Sequence, residues 1–95
     1  MTTTTYSLEF ANAFRTAFDR LNMLGDNRNF VNLLDLRNAL ASYSREDFNR
    51  GLHTLRLRDE FDLSAAGGRE RISSEEQQAG IQEGSALLLY VSRID

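Results

Sequence analysis

The sequence predicts an α+β domain in which three main helices pack on a small antiparallel sheet. Two observations carry this. Apolar residues recur at helical spacing in three successive segments up to about residue 58. The period then changes: Phe61-Asp62-Leu63-Ser64-Ala65 alternates apolar and polar residues, as a strand with one buried face does. A third observation is the length. Residues 1–95 leave room for one domain, since a domain usually takes about 100 to 200 residues.

The threonines at positions 2–5 read as a frayed tail. The first helix is expected from about Ser7 to Leu24, with Phe10, Phe14, Ala17, Leu21 and Leu24 along one stripe. Gly25 is a natural stop, and Asp26-Asn27-Arg28-Asn29 is turn-like. Ala13 and Phe18 widen the stripe. A wide stripe either packs more core or offers a second contact surface. Phe10, Phe14 and Phe18 are more aromatic surface than one small core readily absorbs, so a homodimer through the first helix is expected.

Phe30-Val31 is a short extended pair. Asn32 can cap a second helix from about Leu33 to Ala41, with Leu33, Leu36 and Leu40 on one face. Ala41-Ser42-Tyr43 makes a tight connection. Ser44 places a hydroxyl cap before the acidic turn Arg45-Glu46-Asp47, and Phe48, Leu52 and Leu55 continue a third helix to about Arg58. Ala66 to Arg71 reads as a loop. Ser73-Ser74-Glu75-Glu76 is a capping box before Gln77-Gln78-Ala79, and Gly80 stops that short helix. Gly84 leads into a second strand, Ala86 to Val91, which is apolar on both faces and so needs cover on both. Phe14, Leu21, Leu36, Leu40, Phe48, Leu52, Leu55 and Leu89 are expected in one core.

Composition excludes several chemistries. There is no cysteine, hence no disulfide, thiol nucleophile or thiolate-held metal. His53 is the only histidine, so a multi-histidine metal site is excluded and no cofactor is expected. No G-x-S-x-G elbow is present, and Gly67-Gly68 lacks the spacing and the lysine of a phosphate-binding loop. Asp59, Glu60 and Asp62 read as a solvated acidic turn rather than a cation site. No enzyme is expected. No apolar run approaches the roughly 20 residues of a membrane span, and the first residues do not resemble a signal peptide. A cytoplasmic protein without membrane contact is the resulting expectation.

The order of elements is long helix, short extended pair, helix, tight turn, helix, strand, glycine-containing loop, strand. Val31 to Arg37 opens the second helix, Ser44 to Leu57 forms the third, and Gly67-Gly68-Arg69-Glu70-Arg71 lies near the hairpin. In this pattern the chain, from Tyr6 to Ile94, resembles the winged helix-turn-helix superfamily. The resemblance implies three main helices with a β-hairpin or three-stranded sheet, and a third helix that enters the DNA major groove. The segment from Ser73 to Gly84 departs from it, placing a short extra helix where a plain wing would be.

The implied DNA surface can be tested on the residues. All eleven cations are Arg, and seven of them lie between residues 37 and 71. With Phe48, Leu52 and Leu55 inward, Arg45, Asn49, Arg50, His53 and Arg56 point outward. Arg suits guanine and Asn suits adenine. Arg69 and Arg71 on the wing suit phosphate or a narrow minor groove. Against this, the net charge is −3, and Glu46 with Arg50 is a ready helix ion pair. The expected function is a non-enzymatic regulator binding double-stranded DNA. A winged-helix protein-docking module is the alternative.

Overall fold

Three polar side chains decide where helices start. In the computed structural model, which describes residues 8–65 and 71–94, the Asn32 side chain accepts from the Leu34 amide and opens helix α2, Leu33–Ala39. Ser44 accepts from the Asp47 amide and opens α3, Arg45–Leu57. Ser73 and Glu76 form a reciprocal capping box that opens α4, Ser74–Ala79. Each cap satisfies amide donors that the first helical turn cannot. Helix α1 is Leu8–Leu24. It ends near Gly25, as expected, but the left-handed backbone falls on Asp26, Asn27 and Asn29 instead of the glycine.

Four strands complete an α+β domain: β1 Val31–Asn32, β2 Phe61–Ala65, β3 Ile81–Glu83 and β4 Ala86–Arg93. Every other strand pairs antiparallel with β4. The order is β1-β4-β2, and β3 also pairs with β4. β1 lies against Tyr90 and Val91, while β3 lies against Ala86 to Leu88. β3 was not anticipated. It forms a two-residue hairpin with β4, and Gly84 takes the positive φ, +60°, that the turn requires. Asn29 prolongs the β1 edge with its side chain. Its amide donates to the Arg93 carbonyl at 2.9 Å, and its oxygen accepts from the Arg93 amide at 2.7 Å.

The core is an aromatic row. Phe14 meets Phe61 edge-on at 4.8 Å between centroids, and Phe18 meets Phe61 at 5.2 Å. Phe10 meets Tyr43 and Phe48 edge-on at 5.1 and 5.7 Å. Such pairs add about 0.5 to 1.5 kcal/mol beyond the burial of area. Phe10, Phe14 and Phe18 are all at most 3% exposed. The chain absorbs all three rings itself, so the aromatic excess that pointed to a dimer through the first helix does not exist.

Two core assignments are also corrected. Leu21 is only partly buried at the margin of the cluster. Leu89 is buried but stands outside the main cluster. The β2–β4 register shifts there, with Ser64 opposite Tyr90 and Ala65 opposite Leu88, which leaves Leu89 as the extra residue of a bulge. A side chain on Gly80 would meet Leu87 and Leu89 at 2.8 Å. The end of α4 thus lies against β4 at Leu87 and Leu89, where Leu89 is buried, while Leu87 and Tyr90 stay half-buried. The four threonines, Ser7 and most of the loop from Ala66 lie outside the described residues.

Gly51 makes a sharp test. Within an exposed helix, Gly→Ala normally stabilises by about 1 kcal/mol. Here the new methyl would stand 2.3 Å from the Phe10 ring, which Phe14, Tyr43 and Phe48 hemmed in from three directions cannot release. Overpacking costs about 1 to 3 kcal/mol, so Gly51→Ala is expected to lower stability in denaturant titration.

Arg15 of α1 holds Glu60, just before β2, through both carboxylate oxygens. That hydrogen bond keeps the Glu60 carboxyl below its ordinary range. A depressed folded value means stability that is complete above the unfolded Glu value of about 4.3 and is lost as pH falls through the folded one. The stability gap between the native chain and Glu60→Gln is therefore expected to shrink on acidification below about pH 4.3. Thermal melts giving the same gap at every pH would contradict this.

Candidate nucleic-acid interface

The outward side of α3 follows from its buried side. Phe48, Leu52 and Leu55 face the core, which leaves Arg45, Glu46, Arg50 and His53 exposed and Asn49 and Arg56 half-buried. Five of the seven residues expected to meet DNA therefore share one helix surface. Arg71 is exposed ahead of α4. Arg69 lies outside the described residues.

Their partners divide these residues sharply. Arg56 donates to Glu83 of β3 at 2.5 and 3.3 Å. This bond raises the Arg56 guanidinium and holds the Glu83 carboxyl below its ordinary range. Arg50 lies 3.6 Å from Glu46 and 3.3 Å from Asp47, so two acids share one guanidinium in the first half of α3. The cation positions at Arg50 and Arg56 are thus neutralised by the fold. Sequence spacing anticipated the Glu46–Arg50 pair. It could not show Glu83, which β3 carries to α3.

Arg45 and Asn49 belong to a different group, together with Arg37, which had not been singled out. Arg37 of α2 donates from Nε to the Ala79 carbonyl at 2.6 Å and from Nη2 to Asn49 Oδ1 at 2.7 Å. Its guanidinium lies over the Phe48 ring, 4.6 Å from the centroid. Arg45 reaches the Gly80 carbonyl at 3.3 Å. Asn49 is therefore an acceptor within the fold, with its carbonyl turned to Arg37. Burial and, second to it, the nearby Arg45 charge lower the Arg37 pKa to about 10. Nothing in the local sequence marks Arg37, because only the packing of α3 and α4 around α2 brings its partners near.

Elsewhere, Leu21, Leu24, Phe30 and Tyr90, with Asn32 and Asp35, line a groove of about 360 Å³. Phe30 stacks on Tyr90 at 4.4 Å yet remains 47% exposed, and Leu24 is 73% exposed. Among the described residues, no group of three or more His, Asp or Glu could hold a metal ion, and no helix is long and apolar enough to cross a membrane. No protein-family model, curated protein or solved structure matches the chain.

Proposed function

We propose that this is a winged-helix domain that binds double-stranded DNA without catalysing a reaction, with α3 as the groove-facing helix. The observation that carries the reading is the order of elements. α1, β1, α2, α3, β2 and β4 follow one another with β1 and β2 on either side of β4. That is the arrangement expected of a helix-turn-helix with a winged sheet, and it leaves the outward side of α3 free of the core. Fold alone does not give function, so the exposed Arg45 and His53 supply the chemistry, beside an Arg50 that is paired with Glu46 and Asp47. The segment from α4 to β3 then takes the place of a simple wing. A homodimer through the aromatic residues of α1 is not part of this reading, because those rings are spent within the chain.

A specific observation favours the protein-docking alternative. The α3 face is close to neutral, since Glu46, Asp47 and Glu83 offset Arg50 and Arg56, and Leu24 and Phe30 stand exposed in an open groove that also holds Asn32 and Asp35. An anisotropy titration against random-sequence duplex at two salt concentrations separates the two. DNA binding gives an affinity that falls with salt by roughly 0.9 log units per log unit for each phosphate neutralised. Glu83→Gln should free Arg56, tighten binding and steepen that slope by about one phosphate. Absence of binding at low salt, with Glu83→Gln equally inert, would favour docking.

A further inference from the structure

Six arginines of this domain have surroundings that differ in kind. Arg15, Arg50, Arg56 and Arg93 are each paired with a carboxylate. Arg37 and Arg45 have no ion pair among the described residues, although the chain carries more acids than cations. Their acceptors are neutral: two backbone carbonyls and one amide oxygen. Arg37 also has a buried donor, Nη1, with no hydrogen-bond partner. A guanidinium has five donors and no acceptor, and leaving a buried charged donor unsatisfied costs more than leaving a neutral one. The exposed Arg45 places a second positive charge beside the half-buried Arg37 and adds to that cost.

We infer that Arg37 and Arg45 form a phosphate-binding site in the cleft between α2, α3 and the end of α4. Both guanidiniums line two adjoining clefts. One, of about 170 Å³, is walled by Leu40, Tyr43, Ser44 and Phe48. The other, of about 370 Å³, is lined also by Asn38, Gln78, Ala79 and Glu75, whose carboxylate opposes an anion at that end and leaves the first cleft as the seat. Two guanidiniums supply charge for a dianion and donors for several oxygens, which fits a tetrahedral phosphate better than a single carboxylate. The start of α3 adds to this. Its first turn carries Glu46 and Asp47, which would repel an anion, but Arg50 lies against both. Ser44 caps the Asp47 amide, so the helix end adds its positive dipole beside Arg45 rather than a free set of donors.

The inference deepens the DNA reading by naming where a backbone phosphate would seat, at the start of α3 rather than at Arg50 or Arg56. It stands on its own geometry, so the two can fail separately. The same chemistry serves a free phosphate group, and the experiment has an arm for each source.

In the first arm, inorganic phosphate is titrated into the protein against chloride at matched ionic strength, with the Arg37 and Arg45 Nε–H signals followed by NMR. Saturable movement of both signals is expected with phosphate and not with chloride. Arg45→Gln, which gives up only the contact to the Gly80 carbonyl, should weaken this at least tenfold while the melting temperature in chloride stays near that of the native chain. Arg45→Lys, which keeps the charge but loses the fork, should fall between. Equal responses to phosphate and chloride, or undiminished phosphate binding in Arg45→Gln, would overturn the site.

In the second arm, random-sequence duplex is titrated at two salt concentrations. Loss of affinity in Arg45→Gln for all sequences alike, with the salt slope reduced by about 1, assigns the phosphate to nucleic acid. Phosphate binding with no duplex binding keeps the site, assigns it to a free phosphate group and removes the DNA reading. Duplex binding that is unchanged in Arg45→Gln, with no response to phosphate, removes the site and keeps the DNA reading.

Discussion

The phenylalanine row of α1 is the contact on which the remaining structure depends. Phe10, Phe14 and Phe18 stand one turn apart, and each meets an aromatic ring from another part of the chain. Phe48 brings in α3, Tyr43 the connection before it, and Phe61 the first long strand. Edge-to-face geometry fixes angle as well as distance, so one helix sets the placement of α3 and β2 together. The approach is close enough that α3 must carry a glycine where Phe10 crosses it. Arg93 closes the far end. Its guanidinium lies over Phe18 and Phe61 and pairs with Asp19 at 2.7 Å.

Around this frame, charge is handled in two ways. Some half-exposed cations are matched to carboxylates from distant elements, as Arg15 is to Glu60 and Arg56 to Glu83. These bonds join α1 to the start of β2 and α3 to β3. At Arg37 the same residue type is used as a clasp on neutral acceptors. It holds the Ala79 carbonyl at the end of α4, while Asn32 holds the other end by donating to Glu76 at 2.6 Å. The short helix α4 could not persist alone in water. It is stapled at both ends to α2, and its own capping box does the rest.

Much of the fold was legible because local chemistry and periodicity agree. Asn32, Ser44 and Ser73 cap the helices that their spacing to later residues announces, and the alternation from Phe61 marks β2 to the residue. β3 was missed although Gly84-Ser85 is a good two-residue hairpin turn, because Ile81-Gln82-Glu83 is too short and polar to show a period of two. Leu89 was misplaced because a bulge breaks the alternation that assigns faces. The reading of Phe10, Phe14 and Phe18 as surplus failed for a different reason. Periodicity counts apolar residues on one helix, but it cannot count the rings that α3 and β2 bring to meet them. Arg37 was invisible for the same reason, since its partners at Asn49 and Ala79 are 12 and 42 residues away.

The place of β4 has a consequence for how the molecule comes into being. β1, β2 and β3 make their ladders with β4 and none with one another. Residues 86–93 are also the last of the described elements to be synthesised. As the chain leaves the ribosome, the helices can form in turn, but no strand has a partner until β4 emerges. Phe61, Leu63 and Val31, all buried in the finished domain, stay without their sheet until then. Closure of the domain is therefore a single late event, and any growing chain halted before residue 86 carries an open apolar surface for chaperones to cover.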